Sequence, residues 1–89
     1  MFLFSLNARS SKDQGEFKQG EEVPFIVYID FKDLFGAEQL ATLFVMREGF
    51  REVKVLKRRQ IKVDASMKKD PQIQEAQAKG YCVQAFNAH

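Results

Sequence analysis

The amino-acid sequence predicts an α+β fold, in which two helices cover one face of a four-stranded, mainly antiparallel sheet as a two-layer sandwich. Four segments alternate apolar and polar residues, as strands with one buried face do. Two further segments repeat apolar residues at helical spacing. A chain of 89 residues has apolar surface for one core, so residues 1–89 are predicted to form a single domain with the element order β-β-α-β-α-β.

Two strands are predicted before the first helix. Residues 2–9 alternate regularly, and residues 23–31 are apolar at every second position, from Val23 to Phe31. Ile26 and Tyr28 add apolar groups to the second face of that strand, which is typical of a central strand or of contact with another molecule. Residues 10–22 between the strands are predicted to be a connection, anchored by Phe17.

The first helix is predicted to begin after Asp33 and to end at Gly49. Asp33 can accept hydrogen bonds from the free amides of the first turn, and glycine adopts the left-handed conformation that ends a helix. The core-facing stripe is predicted to consist of Ala37, Leu40, Ala41, Phe44 and Val45. Leu43 and Met46 extend the apolar surface beyond this stripe, so they pack deeply on the sheet or contact a second copy of the chain.

The second half of the chain predicts a strand, a short helix and a last strand. The strand covers residues 50–61, and its many basic residues are typical of a sheet edge, where charge discourages pairing with another sheet. Asp70 and Pro71 mark the start of a helix that ends at Gly80. Residues 81–86 form the last strand.

This element order differs from the β-α-β-β-α-β order of ferredoxin-like domains, because two strands come before the first helix. It resembles the order of several small uncharacterised bacterial proteins, in which a short last helix also ends in Gly-Tyr before a final strand. In this sequence that pair is Gly80-Tyr81. The resemblance is one of outline and implies no particular activity.

A net charge of +2 conceals a strong polarity along the chain. Seven of the 14 basic residues but only one of the 12 acidic residues lie between positions 54 and 69, so this segment carries +6 and the rest of the chain −4. The basic residues of the segment are Lys54, Lys57, Arg58, Arg59, Lys62, Lys68 and Lys69. On a regular strand Lys57 and Arg59 share one face, while Lys54, Arg58 and Lys62 share the other. The charge is therefore predicted to lie on both sides of a solvated edge, with contact to an acidic protein or to nucleic acid as alternatives.

No residue pattern predicts catalysis or a bound cofactor. The only histidine is His89 and the only cysteine is Cys82, so no metal site is expected, and Cys82 is predicted to be a buried, unreactive thiol. Ser66 and Lys69 have the S-x-x-K spacing of penicillin-recognising enzymes, but a chain of this length lacks the cleft that this chemistry needs. No glycine pattern forms a phosphate-binding loop. We therefore expect no enzyme.

Three classes of function remain open. The favoured one is an interaction module, most simply a cytoplasmic homodimer that buries either the second face of residues 23–31, with Ile26 and Tyr28, or the flank formed by Leu43 and Met46. The first alternative is a nucleic-acid-binding protein that uses the basic segment 54–69. The second alternative is a small-ligand-binding domain, for which no pocket-forming residues can be named. No stretch is long and apolar enough to predict a membrane span, and the single cysteine suits a reducing compartment.

Overall fold

The computed structural model describes residues 1–86 and confirms the α+β class. The elements are β1 (Phe2–Ser10), β2 (Glu22–Ile29), α1 (Leu34–Arg47), β3 (Phe50–Gln60), α2 (Pro71–Lys79) and β4 (Tyr81–Ala85), with one 3₁₀ turn at Met67–Lys69. The four strands form one antiparallel sheet in the order β3-β1-β2-β4. The basic strand β3 therefore lies at an edge, as predicted.

The core lies between α1 and one face of the sheet, which we call the inner face. β1 and β2 pair so that their apolar residues lie side by side, with Phe4 opposite Val27 and Leu6 opposite Phe25. These four side chains are almost completely buried. α1 covers them with small residues that are themselves fully buried, namely Ala37, Ala41 and Val45. Small side chains let the helix lie close to the sheet, so the large aromatic groups of the strands fill the space.

Both ends of α1 form as predicted. The Asp33 carboxylate accepts a hydrogen bond of 2.7 Å from the Gly36 amide, which satisfies one of the free donors of the first turn. Gly49 follows the helix with φ +95°, a conformation that other residues adopt only with strain. Phe17, in the connection between β1 and β2, packs edge-on against Phe50 with ring centroids 5.8 Å apart. The predicted anchoring role of Phe17 is therefore confirmed.

β2 is shorter than predicted, and Phe31 does not belong to its apolar face. The strand ends at Ile29, and the Asp30 amide donates to the Gly80 carbonyl as the chain turns toward α1. Phe31 is 47% exposed, and its ring lies against the backbone at Gly36. A Cβ atom at position 36 would lie 2.8 Å from this ring, so the glycine makes room for Phe31.

α2 lies on the outer face of the sheet, and the prediction that both helices share one face is wrong. Cys82 of β4 pairs with Tyr28, which points away from α1, and α2 packs beside these residues without contacting α1 anywhere in residues 1–86. Ile73 and Ala76 of α2 are buried although they do not belong to the inner core. The physical reason is that α1 already fills the inner face, while Tyr28 left apolar surface uncovered on the other side.

We predict that removing the N-cap of α1 lowers the free energy of unfolding. Asp33→Ala leaves the Gly36 amide without its partner and should cost about 1 kcal/mol, measured by urea denaturation. Asp30→Ala is the matched control, because Asp30 is exposed and its carboxylate forms no hydrogen bond within residues 1–86. It should change stability by less than about 0.5 kcal/mol. Equal losses from the two variants would contradict the capping role.

Candidate functional site

Irregular pairing of β3 determines where its charges lie. The register between β1 and β3 shifts at two places, so that Leu56 is an extra residue opposite the Ser5–Leu6 step and Glu52 adopts a positive φ of 53°. A bulge of this kind puts two successive residues on the same side of the strand. Lys54 and Lys57 consequently both lie on the outer face. On a regular strand, residues three positions apart point to opposite faces.

The predicted division of the basic residues between the two faces is wrong for Lys54, whereas Lys57 and Arg59 share one face and Arg58 lies on the other, as predicted. Lys54, Lys57 and Arg59 pair with Asn7, Ser5 and Leu3 of β1, and all of these positions belong to the outer face. Arg58 lies on the inner face, opposite Phe4. It donates two hydrogen bonds to the Glu38 carboxylate of α1, one from Nε to Oε1 and one of 3.2 Å from Nη2 to Oε2. Its charge is thus compensated within the fold.

The other cations of the segment have no such compensation. No carboxylate within residues 1–86 forms an ion pair with them, and they are exposed; they are Lys54, Lys57, Arg59, Lys62, Lys68 and Lys69. The neighbouring acids of the outer face are already engaged, since Glu22 and Glu52 lie 3.5 and 3.4 Å from Arg9. We call Lys54, Lys57 and Arg59 together the basic row. Lys62, Lys68 and Lys69 lie beyond β3, in the loop and 3₁₀ turn that lead to α2.

The four residues predicted for an oligomer interface lie on opposite sides of the molecule. Ile26 and Tyr28 are partly buried on the outer face, and burial together with the nearby Asp70 carboxylate raises the pKa of Tyr28. Leu43 and Met46 are 51% and 52% exposed on the solvent side of α1. A single flat contact cannot include both pairs, so the two pairs are separate candidates.

The solvent side of α1 is more apolar than the sequence analysis predicted. Phe35 is 71% exposed, and it continues the line of Leu43 and Met46 toward the start of the helix. A shallow depression of about 300 Å³ lies along this line. We call the line the α1 stripe; its members are Phe35, Gln39, Thr42, Leu43 and Met46. The spacing of Phe35 and Leu43, two helical turns apart, was present in the sequence and could have identified Phe35.

A second concave region lies at the end of the sheet, beside the connection between β1 and β2. It has a volume of about 310 Å³, and its walls are mostly the apolar side chains of Phe17, Phe25, Phe50 and Val83. Gln14 also lines it, but the Gln14 amide already donates to the Gly49 carbonyl and to the Ser10 hydroxyl, each at 2.9 Å. Ligand sites need several polar groups that converge on the ligand. This cleft gives the small-ligand alternative no specific support.

The residues considered for catalysis do not come together. Within residues 1–86 no three His, Cys, Asp or Glu side chains are close enough to hold a metal ion, and His89 lies outside the described residues. Ser66 donates to the Asp64 carboxylate at 2.6 Å, so its hydroxyl is engaged in the loop. No helix among residues 1–86 has both the length and the apolar character needed to cross a membrane.

Cys82 is buried, as predicted, and its environment disfavours the thiolate. Burial, assisted by a hydrogen bond to Glu75, raises the pKa of the Cys82 thiol from 9.0 to about 11. Nucleophilic cysteines have lowered pKa values, because the thiolate is the reactive form. Cys82 therefore belongs to the packing between β4 and α2.

We predict a decrease in stability at alkaline pH that depends on Cys82. The unfolded chain loses the thiol proton near pH 9, whereas the folded chain keeps it to about pH 11. Between these values the unfolded state binds fewer protons, so the free energy of unfolding falls by up to about 1.4 kcal/mol per pH unit. Cys82→Ala should show a shallower decrease in urea denaturation, since it lacks the thiol. Parallel pH profiles would contradict the prediction.

Comparisons with protein-family models, with curated proteins and with solved structures find no match for this chain. The fold and its surfaces are thus the basis for a functional proposal. They offer two candidates on opposite sides of the molecule, the apolar α1 stripe and the basic row.

Proposed function

We propose that this protein is an interaction module that forms a homodimer through the α1 stripe and has no catalytic role of its own. The observation that carries the proposal is the exposure of Phe35, Leu43 and Met46 on one side of a single helix. Scattered exposed apolar residues are normal on protein surfaces, but apolar residues exposed at helical spacing along one side of a helix are typical of a contact with another helix. Phe31 and Leu34, 47% and 44% exposed, extend this apolar area at the start of α1.

The order of residues along the α1 stripe favours a second copy of the chain as the partner. Residues Phe35 and Met46 stand at equal distances from the middle of α1, and so do Gln39 and Thr42. A two-fold axis through the middle of the helix would therefore place Phe35 opposite the partner's Met46 and Gln39 opposite the partner's Thr42. Both pairs are chemically compatible, since a thioether packs well on an aromatic ring and an amide can donate to a hydroxyl.

Burial of the exposed apolar side chains is the main favourable contribution to the free energy of such a contact. Complete burial of one Phe, Leu or Met side chain contributes about 1.5 to 3 kcal/mol, and these side chains are half or more exposed before association. In a symmetric dimer the same side chain is buried on both chains, so its contribution to the free energy of association counts twice. The Glu38–Arg58 pair fixes the flank of the helix against β3, so α1 presents a rigid surface and loses little conformational entropy on binding.

The proposal also includes a reducing location such as the cytoplasm. Cys82 is buried and unpaired, and it could form a disulfide only after local unfolding. A chain with one inert thiol needs no oxidising compartment for its stability.

We predict that a charge on the α1 stripe converts the dimer to a monomer. Leu43→Glu would bury an unpaired carboxylate at the contact, so its dissociation constant should rise at least tenfold in sedimentation equilibrium. Leu56→Glu is the matched control, because Leu56 is 49% exposed but lies on the outer face of the sheet. It should remain dimeric. A wild-type chain that is monomeric at about 100 µM, or equal effects of the two variants, would refute the proposal.

Cross-linking tests the antiparallel arrangement directly. Chains carrying Gln39→Cys and chains carrying Thr42→Cys are mixed and oxidised, and the disulfide dimer should form mainly between the two different chains. Thr42 and Gln39 of one chain point to the partner's Gln39 and Thr42 in the proposed dimer, whereas identical positions are further apart. Preferred cross-links between identical chains would exclude this arrangement. Circular dichroism of each variant checks that the fold is retained.

A further inference from the structure

We propose that the basic row on the outer face binds the phosphate backbone of nucleic acid without reading its sequence. The proposal concerns a surface on the opposite side of the sheet from α1. It therefore does not depend on the homodimer, and each proposal can fail without the other.

The basic row is linear and unpaired. From Lys54 to Arg59 an extended strand covers about 16 Å, and the bulge at Leu56 keeps Lys57 on the same face as both end members. No carboxylate within residues 1–86 forms an ion pair with any of the three. Without the bulge, Lys54 would lie on the opposite face from Lys57 and Arg59.

The surroundings of the basic row leave it open to a long ligand. α2 contacts β2 and β4 but neither β1 nor β3, so no helix within residues 1–86 covers this half of the outer face. Ser5 of β1 pairs with Lys57 and lies partly accessible beside it, whereas the Asn7 amide beside Lys54 already donates to the Glu22 carboxylate at 2.9 Å. A hydroxyl group such as that of Ser5 donates to phosphate oxygens and helps to hold a backbone in place.

The shape of the charge favours nucleic acid over an acidic protein. A strand of nucleic acid carries one negative charge at every nucleotide, and cations along a line can each meet one of them and release a counterion. The carboxylates of a folded protein have no such regular order. Leu56 lies beside the basic row, which contains no aromatic residue, and base stacking on proteins uses aromatic side chains. Contacts to phosphate, rather than to bases, therefore dominate, and binding should be independent of sequence.

The proposed binding is tested with a fluorescein-labelled single-stranded DNA of about 20 nucleotides, by fluorescence anisotropy at several salt concentrations. Three phosphate contacts predict a slope of log K against log salt of about −2 for single strands. Lys57→Glu/Arg59→Glu should weaken binding at least tenfold at 50 mM salt. The slope should become shallower, between about −1 and 0, because only the contact of Lys54 remains. Two DNA sequences of different base composition should bind with equal affinity.

The matched control is Lys32→Glu/Arg47→Glu, which makes the same change in net charge at exposed residues flanking α1. It should retain affinity within about threefold, because charges beyond a Debye length of about 10 Å are largely screened. Absent binding of the wild-type chain at 50 mM salt would overturn the proposal, as would equal losses in the two double variants. Displacement of the DNA by polyglutamate at equal charge concentration would also overturn it, and would identify the basic row as a site for an acidic protein.

Discussion

The pairing of β1 with β2 is the constraint on which the rest of the structure depends. These are the two inner strands of the sheet, so both edge strands and both helices take their positions from them. Their register aligns the alternating apolar residues of the two strands on one face, as in the pairs Phe4–Val27 and Leu6–Phe25. A slip of one residue would turn every one of these side chains to the other face. Burial of these apolar side chains against α1 therefore fixes the register of β1 with β2. The opposite face of the sheet is then the one left for α2.

The features that could be predicted from the sequence are those determined by a few neighbouring residues. Asp33 and Asp70 cap their helices, and Gly49 and Gly80 adopt positive φ at the helix ends, because each acts through backbone groups within a few positions. The side of the sheet that α2 takes was predicted wrongly, because it depends on which face is already filled. Tyr28, noted in the sequence as an apolar group on the second face of its strand, was the relevant indication.

The candidate surfaces were predicted in composition but not in arrangement. The basic residues of β3 were identified, yet their distribution followed from a bulge at Leu56, and nothing in the local sequence demands an extra residue there. Arg58 illustrates the difference, since its charge is compensated by Glu38, twenty positions earlier in the chain. On α1, Leu43 and Met46 were named correctly as apolar residues outside the core stripe. Phe35 was missed because it lies in the first turn, before the repeating pattern is established.

The separation of the two helices by the sheet has a consequence for the cooperativity of unfolding. α2 buries only Ile73 and Ala76 and has no contact with α1 within the described residues, while β4 is short and lies at an edge. α2 and β4 are joined to the rest of the fold mainly through β2 and through the stacking of Tyr81 on Phe44 of α1. We expect this unit to open at a lower free energy than complete unfolding, with loss of the Tyr81 and Val83 contacts to the inner core. Amide hydrogens of this unit would exchange faster than those of β1. The outer face of β2, with Ile26 and Tyr28, would then be uncovered in the open form.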